Sequence, residues 1–141
     1  MASDVMVVLS GAVEGEIRRH AEEAYPAEGC GLLIGRVGGG RVEVVEVVRG
    51  RNVCEAGREG DRYVVEPRDV LAAMKRAEEK GMEVVGVYHS HPDHEARPSR
   101  MDVELAWEGW VYVIVSVVGG RKGEVRAWRR EGEGMVEVGM I

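Results

Sequence analysis

The order of apolar patterns along the chain constrains the fold more than any other feature of the sequence. Two segments, residues 11–25 and 67–80, carry apolar residues at helical spacing, and shorter strand-length apolar runs lie around them. Ser99 is of a favoured N-cap type, so a third helix is predicted over 99–108. The predicted strands are 5–9, 31–37, 41–48, 63–65, 84–88, 110–118, 124–129 and 135–138. Apart from the short run at 63–65, the elements follow the order β-α-β-β-α-β-α-β-β-β.

This order predicts a single α/β domain that covers residues 1–141. Three glycines at 38–40 turn the chain between two predicted strands and favour a hairpin there. The helical segments between the other strands favour a mixed β-sheet flanked by helices. A chain of 141 residues can bury about two-thirds of the surface that its extended form would expose, so the core needs no crosslinks.

The charge pattern excludes several classes of partner. The formal net charge is −6 and no dense Lys/Arg run occurs, whereas binding to a phosphate backbone needs clustered cations, so no nucleic acid is expected. No apolar run approaches the roughly 18 residues of a membrane span. Asp4 also stands where a secretory signal would carry cations. We therefore expect a cytoplasmic protein with no membrane partner.

The two cysteines, Cys30 and Cys54, lie far apart and form no CxxC pair. Reduced thiols are the default interpretation for a cytoplasmic protein. Arg greatly outnumbers Lys, a bias compatible with a thermophile, and intracellular disulfides occur in hyperthermophiles. The sequence therefore does not decide whether the two cysteines form a disulfide. It also does not decide the oligomeric state, and a homodimer is one of the possible states.

One segment combines metal-binding residue types with tight spacing. His89 and His91 follow a predicted strand, and in extended backbone residues two apart point to the same side, about 6.6 Å from one another. Two imidazoles so placed can converge on one metal ion. Asp102 falls on the first turn of the next helix, where it can offer a carboxylate to the same ion.

Two imidazoles and a carboxylate are typical of catalytic zinc sites. Structural zinc sites usually close with four protein ligands, whereas three ligands leave a position for water, whose pKa falls towards about 7. Taken alone, a His-Ser-His tripeptide is usually surface sequence, and Ser-x-x-Asp is a common helix start. Their conjunction at the end of a strand favours metal chemistry over both of those interpretations.

The segment resembles the signature of the JAMM, or MPN-plus, zinc metallopeptidases. That signature is His-x-His-Pro followed by Ser-x-x-Asp, and His89, His91, Ser99 and Asp102 fill its positions, with ten residues between His91 and Asp102. The family also carries an upstream glutamate before a strand of small residues, which Glu28 and the residues after it match. Asn52 and the stretch 62–67 are similar to the family's middle region, so the resemblance spans about residues 5–130.

The resemblance implies a JAMM/MPN fold, with a cytidine-deaminase-like order of elements, and a role for each site residue. His89, His91 and Asp102 would hold Zn2+, and Glu28 would be the general base that takes a proton from water and returns it to the leaving amine. Ser99 would cap its helix and direct its hydroxyl at the oxyanion. The implied activity is hydrolysis of isopeptide or peptide bonds at Gly-Gly tails of ubiquitin-like proteins, either small archaeal modifiers or sulphur carriers.

Two other interpretations start from the same residues. A non-catalytic MPN scaffold would assemble complexes, but such scaffolds usually lack the metal ligands that this chain has. A zinc deaminase calls for a Pro-Cys-x-x-Cys ligand pair, which the sequence lacks. Asp93 and His94 lie beside the predicted site without an assigned role, and His20 is expected to be a solvated side chain on the first helix.

Overall fold

The computed structural model describes residues 5–141, apart from the side chain of Lys122. Seven strands and three helices occupy this part of the chain, in the predicted order. The strands are β1 (Met6–Leu9), β2 (Cys30–Gly38), β3 (Arg41–Gly50), β4 (Glu83–Pro92), β5 (Val111–Val118), β6 (Arg121–Glu131) and β7 (Gly134–Met140), and the helices are α1 (Gly11–Ala24), α2 (Pro67–Glu79) and α3 (Arg100–Leu105).

The strands form one mixed sheet in the spatial order β1-β3-β2-β4-β5-β6-β7. β1 pairs with β3, and β4 with β5, in parallel, whereas the three hairpins β2–β3, β5–β6 and β6–β7 are antiparallel. A short parallel pairing of β1 with β7, Met6 opposite Gly139, closes the sheet into a barrel. The predicted mixed sheet is confirmed, and its closure is a feature that the sequence pattern did not predict.

Several predicted elements differ in their bounds from the observed ones, and β6, predicted over 124–129, extends over Arg121–Glu131. The run at 63–65 is not a strand and contributes one isolated bridge, between Asn52 and Val65. Helix α3 ends at Leu105 rather than near residue 108. Strand β4 continues past Tyr88 to Pro92, because its later residues keep pairing with β5.

The two faces of the central strands pack against different helices. Leu33 of β2 belongs to the core cluster that includes the buried face of α1, formed by Val13, Ile17 and Ala21. Its neighbour Leu32 belongs to a second cluster, together with Ala73 and Ala77 of α2. Successive residues of a strand point to opposite faces, so β2 separates two apolar layers.

A partly buried hydrogen bond fixes α1 against β4. The Tyr88 hydroxyl lies 2.6 Å from Nδ1 of His20, and the Tyr88 ring covers Gly31, where a Cβ atom would approach the ring to 2.3 Å. Burial, and next the charge of Arg49, lower the pKa of His20 below its ordinary value. The expectation that His20 is a solvated side chain is therefore wrong, because the hydroxyl that it meets comes from a strand distant in sequence.

This contact predicts a pH dependence of stability. The pKa of His20 is lower in the folded state than in the unfolded chain, so the free energy of unfolding should fall as the pH drops below about 6.5, where the unfolded chain takes up the proton first. His20→Asn keeps an acceptor for the Tyr88 hydroxyl but does not titrate, so its stability should fall less steeply. Urea unfolding of both proteins between about pH 5 and pH 8 measures the difference. If the free energy of unfolding of both proteins falls equally steeply with decreasing pH, His20 takes up its proton as readily in the folded state as in the unfolded chain, and the prediction is wrong.

The structure also describes the state of the two cysteines and the character of the helices. Cys30 is buried at the start of β2, Cys54 is partly exposed, and both are free thiols. Within residues 5–141, none of the helices combines the length and the apolar character that crossing a membrane requires.

Candidate metal centre

Strand β4 places the two predicted histidines on one face of the sheet. Tyr88 and Ser90 point to the other side, where Tyr88 meets α1 and the Ser90 hydroxyl accepts a hydrogen bond of 2.8 Å from the Gly29 N–H. His89 and His91 are buried, with 0% and 6% of their surface exposed. Their ring centroids lie 5.1 Å apart. The strand thus holds two imidazoles side by side, as the spacing of the sequence predicts.

The start of α3 brings Asp102 to the same place. Ser99 is the N-cap: its hydroxyl accepts from the Asp102 N–H at 3.0 Å, and its own N–H donates to Asp102 Oδ2 at 2.9 Å. This reciprocal capping box fixes the aspartate side chain. Asp102 Oδ2 lies 3.0 Å from Nε2 of His91 and 3.8 Å from Nε2 of His89.

His89 is the most enclosed member of the cluster. Its ring stacks on Tyr63 at a centroid distance of 4.3 Å, and its Nδ1 lies 3.3 Å from Oε1 of Glu28. Neither ring nitrogen of His89 has a hydrogen-bond partner, nor does Oε1 of Glu28. A buried polar atom without a partner costs about 1–3 kcal/mol. A metal ion would give one of these two ring nitrogens a partner, so the unpartnered imidazole fits a metal site.

His91 is held from both sides. Its Nδ1 lies 2.8 Å from the backbone oxygen of Glu95, which fixes the ring and leaves Nε2 directed towards Asp102. Burial lowers the pKa of His91, but the hydrogen bond and the charge of Asp102 outweigh it and raise that pKa above its ordinary value. Burial opposes the charge on Asp102, yet the imidazoles of His89 and His91 and the Ser99 N–H lower the pKa of that carboxyl to about 2.

All four residues of the predicted cluster therefore converge. One ligand atom each from Glu28, His89 and His91 lies within 4.8 Å of the others, and all three residues are buried. Asp102 lies at the edge of this group, at the two distances given above. Imidazoles and carboxylates are ordinary zinc ligands, so this donor set fits a metal ion, with either carboxylate in reach of it.

A cleft of about 710 Å3 opens beside the cluster. Glu28 and His91, which are buried, form its base, and Ser99, which is exposed, lies nearer its rim. Charged side chains form most of its walls, among them Arg58, Asp61, Arg62, Glu95, Arg97, Arg100 and Glu104. The buried cluster is thus accessible to a substrate from one side.

Asp93 and His94 have different positions and contacts. The carboxylate of Asp93 accepts hydrogen bonds of 2.8 Å from the Gly119 N–H and from the Tyr25 hydroxyl, and its backbone takes a left-handed turn with φ of 58°. Asp93 therefore braces the loop that follows β4. His94 lines the cleft, while its backbone oxygen accepts from the Ser116 hydroxyl.

Sequence reasoning missed the groups that surround the four predicted residues. The sequence places Tyr63 in a short predicted strand and in the stretch 62–67 but predicts no contact with the site, yet its ring stacks on His89. His91 contacts the backbone oxygen of Glu95. Every residue has such an oxygen, so the residue type at position 95 could not predict this contact. An aromatic residue in the similar middle region, 62–67, was the one available hint for Tyr63.

Comparisons with known proteins show the family of the chain. The family model described as prokaryotic homologs of the JAB domain matches residues 10–131. A desampylase of Haloferax volcanii is 34% identical over 77% of this chain and 78% of its own length. A CysO-cysteine peptidase of Mycobacterium tuberculosis is 33% identical over 89% of this chain and 82% of its own. A Thermus thermophilus protein described as a "probable TtuB-protein conjugate cleaving protease" is 35% identical, covering 83% and 74%.

Solved structures agree on the fold. A Desulfitobacterium hafniense protein matches with a TM-score of 0.83 and 29% identity, covering 97% of this chain and 92% of that one. A JAB1/MPN domain protein of Archaeoglobus fulgidus matches with a TM-score of 0.53 and 21% identity, covering 97% and 96%. The mixed sheet and its helices are thus those of a JAB/MPN domain. The chain belongs to the family of prokaryotic JAB-domain homologues, which confirms the resemblance to JAMM proteins.

Proposed function

We propose that this protein is a zinc-dependent hydrolase of isopeptide or peptide bonds that releases or processes ubiquitin-like proteins at their Gly-Gly tails. The observation that carries the proposal is the convergence of Glu28, His89, His91 and Asp102 in one buried cluster beside an open cleft. The names of the relatives support the reaction class, since they describe a desampylase, a CysO-cysteine peptidase and a conjugate-cleaving protease.

In this proposal His89, His91 and Asp102 hold the metal. Zinc, when bound, supplies a Lewis acid that polarises a carbonyl oxygen and makes a water molecule more acidic. The backbone oxygen of Glu95 keeps His91 in one orientation, and the ring of Tyr63 keeps His89 in place. The capping box of Ser99 holds Asp102 so that its Oδ2 stays close to both Nε2 atoms.

Glu28 is the proposed general base. Its Oε1 is buried and has no hydrogen-bond partner, and the residue lies at the base of the cleft. From there the carboxylate takes a proton from the attacking water and passes it to the leaving amine. Ser99 uses a lone pair to accept from the Asp102 N–H, so its hydroxyl proton is free to meet the oxyanion of the scissile carbonyl.

The substrate in this proposal is a ubiquitin-like protein, joined through Gly-Gly to a lysine or to a short peptide. Glycines have no side chain, so a Gly-Gly tail can approach a recessed, buried cluster more closely than other residues can. The cleft beside the cluster leaves room for the amine-bearing side of the bond.

Metal analysis combined with a cleavage assay tests the proposal. We expect one zinc ion per purified chain and cleavage of a ubiquitin-like domain fused through Gly-Gly to lysine or a short peptide. A chelator should remove both the metal and the activity, and added zinc should restore them, whereas added magnesium, which prefers octahedral oxygen sites, should not. A zinc-loaded protein that cleaves no Gly-Gly conjugate would instead favour the scaffold interpretation.

A further inference from the structure

Asn52 lies at the neck of a loop that forms one wall of the cleft. We call residues 53–64 the wall loop, since its Arg58, Asp61 and Arg62 line the cleft. The antiparallel bridge from Asn52 to Val65 closes the loop at its base. Among the residues that the structure describes, Asn52 is neither one of those that line the cleft nor one of the possible metal ligands.

The side chain of Asn52 uses its full hydrogen-bonding capacity. Its Nδ2 donates to the backbone oxygens of Glu28 at 3.2 Å and Arg62 at 2.9 Å. Its Oδ1 accepts from the N–H groups of Cys54 at 3.2 Å and Val64 at 3.0 Å. An amide has two donor hydrogens and a carbonyl oxygen with two lone pairs, so all four are satisfied. One side chain therefore joins both ends of the wall loop to Glu28.

The backbone of Glu28 is fixed by the same loop. Glu28 lies between α1 and β2, so no regular element supplies its backbone hydrogen bonds. Its N–H donates to the backbone oxygen of Glu59 at 2.6 Å, and its own oxygen accepts from Asn52. On its other side, the Gly29 N–H donates to the Ser90 hydroxyl. The wall loop and β4 thus hold the peptide groups that carry this carboxylate.

We propose that Asn52 is a positioning residue that fixes the Glu28 carboxylate relative to the wall of the cleft. The inference rests on the proposed function, in which Glu28 is the general base. A displacement of about 1 Å in a catalytic group can lower a rate by about 100-fold. The metal ligands lie on β4 and α3, to which the four hydrogen bonds of Asn52 do not extend. Asn52 therefore acts on turnover and not on metal affinity.

Two variants of Asn52 and one control separate positioning from general stability. Asn52→Asp has nearly the same shape and keeps the two acceptor contacts, but it loses both donor contacts, including the one to Glu28. Asn52→Ala loses all four. Ser10→Ala removes the N-cap of α1, where the Ser10 hydroxyl accepts from the Val13 N–H at 3.2 Å, and so lowers stability without touching the wall loop.

We expect both Asn52 variants to bind zinc with the parent affinity and to lose about 100-fold in kcat with a smaller change in KM. Amide hydrogen exchange at Glu28, whose N–H bonds the wall loop, should accelerate in both, while exchange at His89 should not. Ser10→Ala should keep the parent kcat at temperatures where it is folded. Asn52 variants with the kcat of Ser10→Ala would overturn the proposal, and Asn52→Asp decides the matter if Asn52→Ala does not fold.

A double variant tests whether Asn52 acts through Glu28. In a Glu28→Gln background, Asn52→Asp should cause no further loss of rate, because the group that it positions no longer takes up protons. An additive loss would overturn the inference while leaving the proposed function in place. An inactive parent, or full activity in Glu28→Gln alone, would contradict the proposed function and the inference with it.

Discussion

Replacement of Glu28 by glutamine is expected to lower turnover by about 10²–10⁴-fold while the chain keeps its zinc ion. Glutamine preserves the size of the side chain and its place at the base of the cleft, but it cannot take a proton from water. The backbone contacts that hold residue 28, from Asn52 and to Glu59, do not involve the side chain and should persist. Metal analysis and cleavage of a Gly-Gly conjugate measure the two outcomes separately.

Glu104→Gln is the matched control for that variant. Glu104 also lines the cleft, but its carboxylate is exposed and pairs with Arg100 at 3.3 Å, away from the buried cluster. Its replacement removes the same charge and should change turnover little. Equal activity of the Glu28 variant and the parent would remove Glu28 from its catalytic role. Loss of zinc from the Glu28 variant would instead make Glu28 a ligand.

The sequence pattern was sufficient to predict where the three proposed metal ligands lie relative to one another, for a physical reason. His89 and His91 belong to one strand, so their relative position follows from the two-residue period of extended backbone alone. Asp102 follows from the capping box of a helix start, which is also a local pattern. The role of Glu28 came from family resemblance, because its approach to His89 depends on how β2 pairs with β4.

The contacts that sequence reasoning missed join residues far apart in the chain. His20 meets Tyr88 across 68 positions, and neither residue type signals the other. Closure of the sheet depends on a two-residue register between β1 and β7, a pairing too short for a periodic pattern to reveal. The run at 63–65 has strand composition but lacks a neighbouring strand to pair with, so only one bridge forms. Local periodicity therefore predicted the helices and most strands, whereas the contacts between them depend on residues that are far apart in the chain.

Replacement of Asp102 by asparagine should have the opposite metal phenotype to Glu28→Gln. Asparagine can still accept the hydrogen bond from the Ser99 N–H, so α3 should form, but it offers a neutral amide oxygen in place of the carboxylate near both imidazoles. Loss of a residue that only hydrogen-bonds a metal ligand lowers metal affinity by about 10–100-fold. Loss of a direct ligand should therefore lower zinc affinity by at least about 100-fold. Competition with a zinc chelator measures this affinity.

The pair of variants decides which carboxylate completes the metal site. Both carboxylates lie within reach of the imidazoles, Glu28 at 3.3 Å from His89 Nδ1 and Asp102 at 3.0 Å from His91 Nε2. Asp61→Asn, on the exposed wall of the cleft, controls for the loss of an acid near the site and should keep parent affinity. If Asp102→Asn retains zinc tightly and Glu28→Gln releases it, the ligands are Glu28, His89 and His91, and water activation must then fall to another group. The expected result leaves Glu28 unliganded and able to accept a proton, which is what a hydrolytic mechanism requires of it.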